Sequence, residues 1–317
     1  MPISDDDWTI HSLNIHGVFL ELWCEKTINN DPNWRVKSVH EAVEFPPPQG
    51  PVRGKESHLD IRAERWTNYG LLTLLVECKK ANPEFVNWIF FPSQSTPKTN
   101  ALIFSEIIIT DISESNAGWS GAPILRREFP FKNIPFTNEA RETRGAYQAY
   151  KKNDKTRTAN VAITDAAYQA ALGTQSVLYD QIKMVQEGSC STSSRRPSWF
   201  QQMFLPVVLT TANIFTCESN PSDVDPKTGE IYPYDKAHLI PHDCLLFEYT
   251  LPRHLQLLPE YFQNDDLLSR LIREMKIDAL KKRIDPTRMY ILVVNSGHFS
   301  AFLKEIDRIT LSLLNAL

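Results

Sequence analysis

Ser57-His58-Leu59-Asp60-Ile61-Arg62-Ala63-Glu64-Arg65-Trp66 and, after a turn at Asn68-Tyr69-Gly70, Leu71-Leu72-Thr73-Leu74-Leu75-Val76-Glu77-Cys78-Lys79 decide the fold class. The first stretch alternates. Leu59, Ile61 and Ala63 fall on one face and His58, Asp60, Arg62 and Glu64 on the other, the period of a half-buried strand. The second is apolar almost throughout and turns polar only at Glu77-Cys78-Lys79, as expected of a strand buried on both faces that surfaces at its C-terminal tip. Their separation accommodates a strand, a turn and an adjacent antiparallel strand, so Asp60, Glu77 and Lys79 can converge on one sheet face.

Working outward, Asp5-Asp6-Asp7 offers a cap for a helix from about Trp8 to Thr27 that Asn29-Asn30-Asp31-Pro32 ends. Trp34 to Phe45 reads as a strand, and Pro46 to Pro51 as a stiff loop. Beyond Pro83 the chain is less regular to about Lys155, with one clear strand, Ala101 to Thr110. Thr164-Asp165 predicts the start of a helix running to about Glu187, and a Ser-rich loop from Ser189 to Ser198 follows. Then come the strand Leu205 to Thr211, the strand Leu245 to Tyr249, a basic amphipathic helix from Asp266 to Arg283, the strand Met289 to Asn295 and a closing helix from Phe299 to Leu314. This order predicts a mixed α/β sheet with helices on its faces, the first three strands forming a meander. The division expected is a core over residues 1–251 with an insertion at about 92–160, and a C-terminal helix-strand-helix extension over 252–317 packed on it.

With 317 residues, 42% of them hydrophobic, the chain has ample material for a packed core. No apolar run approaches the roughly eighteen residues of a spanning helix, and the acidic start predicts no export signal. Five cysteines without a CxxC pair read as reduced thiols, so the expected location is the cytoplasm, away from membranes. Eleven glycines against 21 prolines, with neither GxGxxG nor GxxxxGK[ST], disfavour a nucleotide-driven motor. The net charge of -4 conceals segregation. Lys132 to Arg157 and Leu267 to Arg288 each carry seven basic and three acidic side chains, a local +4 apiece, which leaves -12 for the rest. Locally basic faces can hold phosphates on an acidic protein. The candidates for that contact are Arg141, Arg144, Lys151, Lys152, Arg195, Arg196, Lys281 and Lys282, with Tyr147 placed to stack on unpaired bases.

Two carboxylates a few ångströms apart repel unless neutralised, and the hard cation that suits them is Mg²⁺ or Mn²⁺. An ammonium beside such an ion can orient a water and favour its deprotonation, which supplies the parts that in-line hydrolysis of a phosphodiester needs. Gly54-Lys55-Glu56-Ser57-His58-Leu59-Asp60-Ile61, followed by Leu74-Leu75-Val76-Glu77-Cys78-Lys79-Lys80, resembles the PD-(D/E)XK nuclease superfamily, in particular type IV restriction and archaeal Holliday-junction-resolvase-like nucleases. The likeness covers about the first ninety residues, with Leu59 standing where the family pattern has proline, and extends further only through element order. It implies a restriction-endonuclease-like mixed central sheet flanked by helices. It implies metal binding by Asp60, Glu77 and the carbonyl of Cys78, with Lys79 as catalytic lysine. Gly17-Val18-Phe19-Leu20-Glu21 is similar to the family's first helix, so Glu21 or Glu25 would assist metal or lysine. The function implied is a phosphodiester-cleaving endonuclease acting on DNA in preference to RNA. A stand-alone effector or subunit of a prokaryotic defence or repair system, as a homodimer or with an accessory protein subunit, would be its setting. The rival is an inactive nuclease-like fold serving as a nucleic-acid-binding or assembly subunit.

Three weaker signals are read as ordinary structure. Gly118-Trp119-Ser120-Gly121-Ala122-Pro123 resembles the nucleophile loop of trypsin-like proteases, but His11, His16, His40 and His58 lie in unrelated contexts, and the segment is taken as a turn. His238 to Cys244 collects metal-ligand types, yet Pro241 forbids the helix an HxxxH site requires, which leaves a loop. Gln148, Gln169 and Gln175 are taken as surface residues.

Overall fold

A computed structural model of the chain describes residues 9–10, 13, 17–43, 57–66, 70–92, 105–111, 119–124, 134–143, 161–186, 199–256 and 287–314. In chain order its elements are α1 (Val18–Asn29), β1 (Arg35–Val43), β2 (Ser57–Trp66), β3 (Gly70–Lys79), β4 (Asn87–Pro92), β5 (Ser105–Asp111), β6 (Trp119–Ile124), β7 (Phe136–Thr143), α2 (Val161–Gln186), β8 (Trp199–Thr210), β9 (Asn213–Ser219), β10 (Ala237–His242), β11 (Cys244–Thr250), β12 (Arg288–Asn295) and α3 (Phe299–Leu314). One mixed sheet contains all twelve of these strands, in the order β1-β2-β3-β8-β12-β11-β7-β4-β9-β10, with the β5–β6 hairpin joined to β8.

The expected meander is present: β1, β2 and β3 are antiparallel neighbours. β8 then returns parallel to β3, and β12 runs parallel to β8, so β3, β8 and β12 end together at Lys79, Thr210 and Asn295. A parallel strand covered on both faces must be apolar on both, which explains why β3, β8 and β12 read as continuous hydrophobic runs. The alternation separates two core layers. Leu71, Leu75, Phe204, Val208, Ile291 and Val293 pack under α2. Leu72, Leu74, Val76, Val207, Leu209 and Leu292 pack under α1 and α3. α2 meets its layer through Ile163 and through Ala166, Ala167, Ala170 and Ala171, four small residues that bring the helix close to the sheet. Among the described residues no helix is long and apolar enough to cross a membrane.

Several expectations are corrected. α1 begins at Val18 because Gly17 before it has φ 82°, a left-handed conformation that interrupts the helix expected from Trp8. Trp119–Ile124, read as part of a turn, is strand β6 paired antiparallel with β5. The His238 to Cys244 segment is not a loop: β10 pairs with β9, and Cys244 opens β11. The irregular stretch after Pro83 supplies two interior strands, with β4 and β7 pairing to each other and to β9 and β11. α2 starts three residues before the expected Thr164, and its cap is nonlocal: the buried carboxylate of Glu142 on β7 accepts the Ile163 N–H at 3.0 Å. β12, assigned to the C-terminal extension, lies inside the sheet between β8 and β11.

Candidate functional site

The site grows out of an irregularity in β2. The β2–β3 ladder stops at the pair Ile61 and Val76, so Asp60 stands opposite Glu77 where the strands part. β1 remains paired with β2 on both sides of this point, at Val39 with Ile61 and Glu41 with Leu59, but His40 and Asp60 drop out of the register. His40 there has φ 51°, the left-handed region that a non-glycine residue rarely adopts. The consequence is a change of phase. Leu59 belongs to the core layer under α2, whereas Ile61 and Ala63 belong to the layer under α1 and α3. Strict alternation would set all three on one face. The phase of β2 therefore changes across Asp60, opposite the left-handed His40, although the β1–β2 register runs unshifted through this point and its one shift lies between Val36 and Ser38.

Freed from the ladder, the Asp60 carboxylate takes over its function: Oδ2 accepts the Cys78 backbone N–H at 2.7 Å. Glu77 lies within hydrogen-bond reach of Asp60, is 7% exposed, and its Oε2 is buried without a hydrogen-bond partner. α1 adds Glu21. Cys24 and Ile28, one turn apart, dock this helix on the sheet, the Cys24 thiol meeting that of Cys78, and Glu21 precedes Cys24 by three residues on the same side. Glu21 Oε2 lies 3.4 Å from His40 Nε2, and the ligand atoms of Glu21, His40 and Asp60 are all within 4.8 Å of one another. Glu25 falls outside that group.

Electrostatics follow from the burial of like charges. Desolvation pushes Asp60 up to about 6; the Cys78 N–H opposes this, Glu21 adds to it, and His40 and Lys79 oppose it. Desolvation, then the Asp60 carboxylate, push Glu77 up to about 9, against the pull of Lys79. Arg62, the nearest counter-ion by sequence, is already engaged by Glu41 at 3.3 Å and Glu64 at 3.1 Å. Lys79, half-buried at the end of β3, exerts its field on Asp60, Glu77 and Glu142 together. The Cys78 thiol is held well above its usual range, first by its contact with Cys24 and then by burial, so this residue can offer an ion its carbonyl and no thiolate.

Of the residues expected at the site, the structure brings together Asp60, Glu77, Cys78, Lys79 and Glu21. His40 was missed, and no local signal could have found it, since only its left-handed backbone opposite Asp60 brings the exposed ring beside Glu21. Arg141 is exposed on β7, one residue from Glu142 and hence on the opposite sheet face, and its guanidinium donates to the carbonyl of Ala140. Arg144, Tyr147, Lys151, Lys152, Arg195, Arg196, Lys281 and Lys282 lie outside the described residues, as does the expected helix from Asp266 to Arg283. Gln169 is hydrogen-bonded to Ser57 at the start of β2. Gln175, expected at the surface, is 2% exposed with its Oε1 unpartnered. No family model, curated protein or solved structure matches the chain.

Proposed function

We propose that this protein is a divalent-metal-dependent nuclease that hydrolyses phosphodiester bonds, with DNA as its substrate. The observation that carries the reading is the meeting of Asp60 and Glu77 at the parting of β2 and β3, with one Glu77 oxygen buried and unpartnered and the Lys79 ammonium acting on both. A buried carboxylate oxygen without a partner costs stability unless something supplies the missing interaction. A hard cation is the group that suits this donor set of carboxylates and a carbonyl. Asp60, Glu77 and the Cys78 carbonyl would hold Mg²⁺ or Mn²⁺, with Glu21 beside them. When bound, the ion supplies charge to polarise a phosphate oxygen and to lower the pKa of a water.

The chain's own groups do the rest. The Cys78 N–H holds Asp60 in one orientation, and Lys79, whose charge acts on both carboxylates, would orient an attacking water and offset charge on the phosphate. Burial of Glu77, 7% exposed, limits competing water around its carboxylate. The C-terminal ends of parallel strands are where open α/β sheets place ligands, and this site lies at the end of β3. The two basic segments of the sequence would hold the phosphate backbone.

The test is incubation of the full chain with plasmid and with single-stranded DNA and RNA, with Mg²⁺, with Mn²⁺ and with chelator. Asp60→Asn and Lys79→Ala serve as the variants. Metal-dependent cleavage by wild type, lost in both variants, is the expected result. Equal cleavage by all three proteins, or binding without cleavage under every condition, sinks the enzyme reading; the second outcome favours a binding or assembly subunit.

A further inference from the structure

We infer that His40 is a ligand of this metal centre, and that the site therefore takes Mn²⁺, or another ion that accepts imidazole, in preference to Mg²⁺. The inference rests on the metal-dependent reading above and concerns which ion the site selects.

Four observations on different atoms support it. First, the His40 Nε2 lies 3.4 Å from Glu21 Oε2, and both lie within 4.8 Å of an Asp60 oxygen. Ligands on one ion with bonds near 2.2 Å stand roughly 3 Å apart when adjacent and ~4.4 Å apart when opposite, so small movements would close the three atoms on a common centre. Second, His40 keeps φ 51° inside a strand, a costly backbone state for a residue with a side chain, at the one point where it faces Asp60. Third, the His40 side chain is 58% exposed, and the partner shown for its ring is Glu21. It contributes nothing to the core that would account for the backbone conformation. Fourth, Glu77, 7% exposed, is held against Asp60 with its Oε2 unpartnered. It stands outside the group of three and meets the centre through Asp60, leaving a buried oxygen beside the ion's expected position.

Donor chemistry then sets the preference. Mg²⁺ takes oxygen ligands in a strict octahedron and parts reluctantly with its water, whereas imidazole is a good ligand for first-row transition ions. An imidazole added to the carboxylates of Glu21 and Asp60 leans the set toward Mn²⁺ and its neighbours in that series. Because His40 is the exposed member, it would close the site from the solvent side.

The experiment is calorimetric titration of the metal-free full chain with MnCl₂ and with MgCl₂, together with pulsed electron paramagnetic resonance of the Mn²⁺ complex to detect coupling to an imidazole ¹⁴N. The variants are His40→Asn and Asp60→Asn; asparagine tolerates positive φ, so the first keeps the backbone of β1. Wild type should bind Mn²⁺ at least about 10-fold more tightly than Mg²⁺ and show the nitrogen coupling. His40→Asn should lose that coupling, weaken Mn²⁺ binding by ~10-fold or more, and change Mg²⁺ binding by less than ~3-fold. If Asp60→Asn abolishes metal binding while His40→Asn binds Mn²⁺ as wild type does and no ¹⁴N coupling is seen, this inference falls and the metal-dependent reading stands. If Asp60→Asn binds both ions unchanged, both readings fall.

Discussion

Gly173 on α2 sits directly over Leu59, the residue before Asp60, and substituting it tests whether helix packing holds the site. A Cβ at Gly173 would lie 2.8 Å from Leu59 Cδ1 and 3.4 Å from its Cβ and Cγ. Leu59 is fully buried in a layer with Ala166, Ala167 and Ala170, so its side chain has little room to turn away. In an open site Gly173→Ala would stabilise the helix by about 1 kcal/mol. Overpacking a closed core costs roughly 1–3 kcal/mol, so the net expectation is a loss of about 1 kcal/mol. Leu59→Ala alone should cost about 2–5 kcal/mol through lost burial and the cavity it leaves. In that background the added methyl enters vacated space, so Gly173→Ala should become stabilising by about 1 kcal/mol. The sign reversal amounts to a coupling of roughly 2 kcal/mol, readable by urea denaturation of the four proteins in EDTA. Any displacement of Leu59 is passed to Asp60 through one peptide unit, so Gly173→Ala should also weaken metal binding. A Gly173→Ala protein more stable than wild type, in either background alike, would refute the close packing on which the argument depends.

Glu77→Gln should raise metal-free stability by about 1–3 kcal/mol, because it removes the cost of a buried carboxylate beside Asp60, and should abolish stabilisation by added Mn²⁺. A lower melting temperature for the metal-free variant would contradict this. The pH dependence has a definite sign. Unfolded, Asp60 and Glu77 titrate near 3.8 and 4.5; folded, they hold their protons to about 6 and about 9. Between these limits the native state binds more protons, so metal-free stability should fall as pH rises from about 4 to about 9, and the rise in melting temperature on adding Mn²⁺ should grow over the same window. Melting curves with and without chelator check both trends, and metal-free stability that rises with pH there would overturn the assignment of these two groups. Glu142→Ala should cost about 1–2 kcal/mol by leaving the first N–H groups of α2 unpaired, while Glu142→Gln, which keeps an acceptor, should cost less than half of that in the same denaturation assay.

The elements legible in the sequence are those whose side-chain period is unbroken. β3 and α3 stand where their apolar run and period 3.6 set them, α3 with its expected ends, because each residue's environment there follows from its neighbours along the chain. Legibility ended at discontinuities. Leu59 and Ile61 look equivalent by alternation and belong to opposite layers, since the phase of β2 changes across Asp60 between them. His40 is an ordinary strand residue until its backbone turns left-handed opposite Asp60. The cap of α2 comes from Glu142 on another strand, beyond the reach of any local capping rule. The expected C-terminal extension delivers a central strand, because a strand's position in a sheet is chosen by pairing and not by order along the chain.

The chemistry of the candidate site was therefore contained in the sequence as a set of residue types: Asp60 on an alternating strand, Glu77 and Lys79 at the tip of a buried one, and a helical glutamate upstream. Their convergence was only an allowance of spacing. Tertiary structure decided that Asp60 leaves the ladder to accept the Cys78 N–H, that Glu21 and not Glu25 reaches it, that Arg62 is engaged elsewhere, and that His40 joins the group. The physical reason is that composition and period constrain which face a side chain occupies, whereas distances between carboxylates depend on where strands part and helices dock. Those are properties of packing between segments remote in sequence.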